Sequence, residues 1–153
     1  MSRKKSIYLP EEAEATLGPR DEMSLSGRIA GILLRYDSAW RTHCPALSEA
    51  EWSAICDALN GTHLAIDGAA PDMSRFLWAE MSDSPEMGEK WGIDVKALAL
   101  RMQAWSRIEQ IACFEVAARF WTSPNLNALS TRELLIEAGA RLLPAQPRRN
   151  AVI

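Results

Sequence analysis

The sequence predicts a mainly α-helical protein with one short strand near its N-terminus. Three features carry that prediction. Apolar residues recur at three- and four-residue spacing along most of the chain, the period of a helix that buries one face. Serine or aspartate stands ahead of several of these stretches, and proline or Asn-Gly closes them. Apolar/polar alternation, the mark of a half-buried strand, is clear only at residues 3–9.

In that strand Lys5, Ile7 and Leu9 share one face, and Lys4, Ser6 and Tyr8 share the other. Pro10 ends it and opens a helix over about residues 11–17, because the N–H that proline lacks has no partner in a first helical turn. Glu11, Glu12 and Glu14 crowd the start of that helix, where the macrodipole favours negative charge. Gly18-Pro19 stops it. Ser24 is the next expected N-cap. Leu25, Ile29, Ile32, Leu33 and Tyr36 then form a helical stripe that runs to about Trp40, before Pro45 forbids continuation. Gly27 and Gly31 lie within this helix at a cost of roughly 1 kcal/mol each against alanine. Close helix–helix approach and simple tolerance both account for them.

The remainder reads as all-helical. Ser48-Glu49-Ala50-Glu51 has the capping-box spacing and opens a helix with Trp52, Ile55, Cys56 and Leu59, closed by Asn60-Gly61. A loop of about ten residues follows, with a brief extended piece at 63–66. Pro71-Asp72 opens a segment carrying Met73, Phe76, Leu77 and Met81. Ser84-Pro85 breaks it ahead of a short helical turn near residues 87–91. Asp94 caps what reads as the longest helix, to about Trp121, on the stripe Leu98, Met102, Trp105, Ile108, Ile111, Ala112, Glu115, Val116 and Phe120. Ser123-Pro124-Asn125 ends it. Ser130-Thr131-Arg132-Glu133, a second capping box, opens a last helix through Leu134, Leu135, Ala138, Leu142 and Leu143. Pro144 stops that helix, and residues 145–153 form a mobile tail.

Composition bounds the function. Hydrophobic residues make up 48% and charged residues 24% of 153, which excludes a wholly disordered chain. No apolar run approaches the roughly 20 residues that span a bilayer, and the basic N-terminus leads into no apolar signal core, so a cytoplasmic protein is expected. Three cysteines, an odd number, read as thiols rather than a disulfide framework. The net charge is −3 but unevenly spread. Residues 1–45 hold seven basic and six acidic side chains, and residues 46–153 hold ten and fourteen. Arg3, Lys4 and Lys5 form a short basic arm on a mildly acidic body, a hint of nucleic-acid contact.

The best boundary falls near residues 37–46, giving an N-terminal segment 1–44 and a helical domain 45–144 that holds five of the six tryptophans. About 40 residues bury too little surface to fold well alone, and a lone terminal strand leaves its backbone groups unpaired. Both problems vanish if two copies pair their strands antiparallel and pack their helices together, so physical need alone predicts a homodimer.

The run Lys4-Lys5-Ser6-Ile7-Tyr8-Leu9-Pro10-Glu11-Glu12, a short helix, a Gly-containing turn and then Met23-Ser24-Leu25-Ser26-Gly27-Arg28-Ile29 resembles a ribbon-helix-helix DNA-binding domain over residues 3–40. The resemblance implies an antiparallel ribbon, one strand from each copy, that enters the DNA major groove. On that reading Lys4, Ser6 and Tyr8 face the base edges, with Tyr8 stacking on or contacting a thymine methyl. Arg3 and Lys5 contact phosphates, as do the helix start at Ser24, Leu25 and Ser26. Ile7, Leu9, Leu25, Ile29, Ile32, Leu33 and Tyr36 form the dimer core. Asp21 and Glu22 place two negative charges beside that phosphate clamp and should weaken it. The layout resembles repressors, antitoxins and partition or conjugation accessory proteins of plasmids and other mobile elements. The helical domain would then bind a protein partner or a small effector, or extend oligomerisation.

The competing reading is an interaction module that uses the ribbon only to dimerise; a small helical enzyme is the third. For the last, His43, Cys44, Cys56 and His63 match no standard zinc spacing, and there is no Cys-X-X-Cys, phosphate loop or Gly-X-Gly-X-X-Gly. Cys56 and Cys113 sit in apolar stripes. Glu115 lies near an apolar face, and pairing with Arg119 or Arg101 is the common fate of such a residue. No catalytic residue, metal or cofactor is therefore expected. The tryptophans read mainly as core, with one or two available to a partner groove.

Overall fold

The computed structural model describes residues 10–17, 24–60 and 85–145. The expected strand at 3–9, the turn at 18–23, the extended piece at 63–66, the segment opened by Pro71 and the tail from residue 146 lie outside them. The described chain is mainly helical. It divides into two compact units, Met1–Ser38 and Ala39–Ile153. Trp40 and Cys44, on the N-terminal side of the expected boundary, are buried in the core of the second unit.

In the first unit, α1 spans Glu11–Thr16, and Leu17 behind it is buried. Helix α2 spans Leu25–Thr42, two residues past the expected end. Ser24 Oγ accepts the Gly27 N–H at 3.2 Å, as an N-cap does. Arg28, one turn into α2, reaches back to α1. Its Nε donates to the Leu17 carbonyl at 3.1 Å and its Nη2 donates to the same oxygen. A guanidinium on the carbonyl that ends a helix satisfies an orphan acceptor and complements the negative end of the dipole.

The second unit is built around α3, Glu49–Leu59, whose residues from Trp52 to Cys56 are all buried. It packs against α4 (Pro85–Trp91), α6 (Arg107–Trp121) and α7 (Thr131–Glu137). Helix α5, Val95–Gln103, packs on α4 and adds Val95, Leu98, Ala99 and Met102 to the core. The capping boxes expected at Ser48/Glu51 and Ser130/Glu133 are both formed, and Asp94 caps α5 by accepting the Ala97 N–H at 3.0 Å.

Two expectations for this unit are corrected. The single long helix from Asp94 to Trp121 is two helices, broken at Ala104-Trp105-Ser106. The break has a local cause. Ser106 and Glu109 form a third capping box, with Glu109 accepting from the Ser106 N–H at 3.1 Å, and Gln110 turns back to donate to the Met102 and Trp105 carbonyls at 3.4 and 3.2 Å. One helix start and the preceding helix end are thus satisfied by side chains of the same turn.

The last helix ends at Glu137, not at Leu143. Gly139 adopts φ +94°, and two backbone bonds close the turn: Ala140 N–H to Leu135 O at 2.9 Å and Gly139 N–H to Ile136 O at 3.0 Å. This is a Schellman C-cap, which needs a left-handed residue that glycine supplies without strain. The chain then extends as β2, Arg141–Leu142, which pairs parallel with β1, Ala46–Leu47, in the register Ala46–Arg141 and Leu47–Leu142. The domain read as all-helical therefore carries a small parallel sheet.

The tryptophans show how the core is fixed. Trp40 and Trp52 are fully buried, and Trp91, Trp105 and Trp121 pack partly buried against the same cluster. The Trp52 indole N–H donates to the Arg141 carbonyl at 2.9 Å, tying α3 to β2. The Trp121 N–H donates to the Cys56 carbonyl at 2.8 Å, tying α6 to α3. The Trp91 N–H donates to Asp57 Oδ2 at 3.0 Å, tying α4 to α3. Trp52, Trp91 and Trp121 each supply a large apolar area and one directional bond to another element.

Candidate nucleic-acid and dimer interface

Of the residues expected to act on DNA, Arg3, Lys4, Lys5, Ser6 and Tyr8 lie outside the described residues, as do the dimer-core residues Ile7 and Leu9 and the acidic pair Asp21 and Glu22. What is described is the start and the length of α2. Ser24 and Ser26 are exposed and Leu25 is half-buried. The first turn of α2 contains no acidic residue. Helices α3, α6 and α7 each place a glutamate three residues past the capping serine, where it closes the box. At the matching position α2 has Gly27. Its N-terminal partial positive charge is not offset by an acidic side chain of its own first turn.

Among the described residues, the apolar stripe of α2 is only partly covered. Ile29 and Ile32 are half-buried, while Tyr36 is 38% and Leu33 59% exposed. Trp40 is the only buried residue of this 18-residue helix. Leu34, off the stripe, is 72% exposed, an ordinary single surface leucine. An amphipathic helix normally buries its stripe, so the run from Leu25 to Tyr36 presents apolar surface that water solvates poorly.

The second unit offers a different feature, made by residues the sequence pattern did not bring together. A groove of about 730 Å³ opens at the start of α3. Ser48, Glu49 and Glu51 form one side. Arg101 of α5, Arg132 of α7, the Gly92-Ile93 turn and Leu143-Pro144 supply the rest. Both arginines are engaged. Arg101 pairs with Glu51, which also accepts from the Ser48 N–H, and Arg132 lies 3.5 Å from Glu49. A smaller hollow of about 290 Å³ shares Glu49 and Ala50 and reaches Trp91 and Thr131.

The candidate nucleophiles and acids have structural surroundings. Cys44, Cys56 and Cys113 are buried thiols. Burial raises the pKa of all three, carrying Cys56 to about 12 and Cys113 well above its ordinary value. They are neutral at physiological pH and lack thiolate reactivity. Glu109 belongs to the Ser106 capping box, and Glu115 stands 3.8 Å from Arg119 one turn away. Among the described residues no three His, Cys, Asp or Glu side chains are grouped to hold a metal ion, and no helix is long and apolar enough to cross a membrane.

No protein-family model, curated protein or solved structure matches this chain.

Proposed function

We propose that the chain is a non-enzymatic, sequence-specific DNA-binding regulator that acts as a homodimer through its N-terminal unit. The observation that carries this reading is the exposed stripe of α2. Leu33 is 59% and Tyr36 38% exposed, on a helix whose Leu25, Ile29 and Ile32 are incompletely buried. A second copy applied to this face would bury the stripe and supply the core that some 40 residues lack. Support also comes from the order of α1 and α2, from the clamp of Arg28 on Leu17, and from a serine-capped α2 start without first-turn acids, suited to a phosphate. The ribbon of residues 3–9, with Lys4, Ser6 and Tyr8 toward the bases and Arg3 and Lys5 toward phosphates, is the proposed reading element.

The test has two arms. Sedimentation velocity at micromolar concentration should show a dimer that becomes a monomer in Leu33→Asp. A wild-type monomer overturns the reading. Filter binding to the DNA preceding the protein's own coding sequence should show an affinity that falls steeply with salt, by several powers in a log–log plot. Lys4→Ala/Ser6→Ala should lose that binding and stay dimeric. A dimer with no salt-sensitive DNA retention would leave the interaction-module reading in its place.

A further inference from the structure

We draw no further inference here: the strongest candidate, the groove at the start of α3 between Arg101, Arg132 and Leu143, has both of its arginines already paired with Glu51 and Glu49, and nothing in the structure shows what covers it.

Discussion

Gly139 lies so close to Trp40 that a Cβ on the glycine would stand 2.8 Å from the indole Cη2, inside any real carbon–carbon contact. The same Cβ would lie 2.9 Å from Arg41 Nη1. The arginine can swing aside, but the ring is fully buried and cannot. Arg41 and Arg119 place their guanidinium carbons 4.6 and 5.3 Å from the Trp40 ring centroid, adding cation–π contact to the packing.

Gly139→Ala should therefore be strongly destabilising. The residue sits at φ +94°, where a side chain is strained, and the new methyl meets an immovable ring. Strain and overpacking together set a loss of about 2–4 kcal/mol, read from the urea midpoint. Gly31→Ala is the control. Its Cβ would meet only the end of Arg35 at 3.4 Å, so alanine should be neutral or stabilise by up to about 1 kcal/mol. Equal losses at the two sites would refute the assignment.

Asp57 joins two helices through one oxygen. Its Oδ2 accepts from Lys90 Nζ at 2.7 Å and from the Trp91 indole at 3.0 Å. The lysine is largely exposed and contributes little; the indole bond is the better shielded of the two. Asp57→Ala should cost about 1–2 kcal/mol and red-shift the Trp91 emission as α4 loosens. Lys90→Ala should change stability by less than about 0.5 kcal/mol. A larger effect from the lysine than from the aspartate would reverse this account.

Ser106→Ala distinguishes two helices from one. At an N-cap the change removes a bond to the Glu109 N–H and should cost about 1 kcal/mol. In the middle of a continuous helix alanine is the better residue, and the same change would stabilise by a few tenths. The sign of the shift in thermal unfolding decides between them.

The three thiols predict an alkaline limit to stability. Each has a raised pKa in the folded state, so above the ordinary thiol value the unfolded chain releases protons that the folded chain keeps. Their contribution is complete below about pH 9, the ordinary value, and is lost as pH rises toward 12 through Cys56. Urea midpoints should fall across that window and fall less in Cys56→Ala/Cys113→Ala, measured against that variant's own midpoint at pH 7. In native buffer, thiol labelling at Cys56 and Cys113 should run roughly 1,000-fold or more slower than in the unfolded chain, since it awaits unfolding. Rapid labelling of the native protein would contradict the burial.

The parts of the fold legible in the sequence were those with local causes. Ser48 and Ser130 announce their helices because capping box and apolar run begin together. Ser106 carries the same signal, but Trp105 and Ile108 prolong the stripe across it, so spacing alone reads as one helix. Gly139 does not stand out in the sequence, because Leu142 and Leu143 continue the helical spacing as far as Pro144. The pairing of Ala46–Leu47 with Arg141–Leu142 joins two-residue strands too short to alternate, so no pattern could reveal it. The exposed stripe of α2 was readable as a helix face. Its exposure was not, because spacing shows which residues share a face and never whether that face is covered. The α3 groove draws on separate segments, and its charges come from three of them: Glu49 and Glu51, Arg101, and Arg132.

The parallel pairing of β1 with β2 has a kinetic consequence. Residues 46 and 47 are synthesised well before their hydrogen-bonding edge and the carbonyl that Trp52 needs, which arrive only with residues 141 and 142. Synthesis at about 5–20 residues per second leaves that half-built unit waiting several seconds for its seal. Contacts between such distant positions also slow the search once the chain is complete. Helical content should thus precede native tryptophan burial during refolding, with the final docking of β2 as the late event.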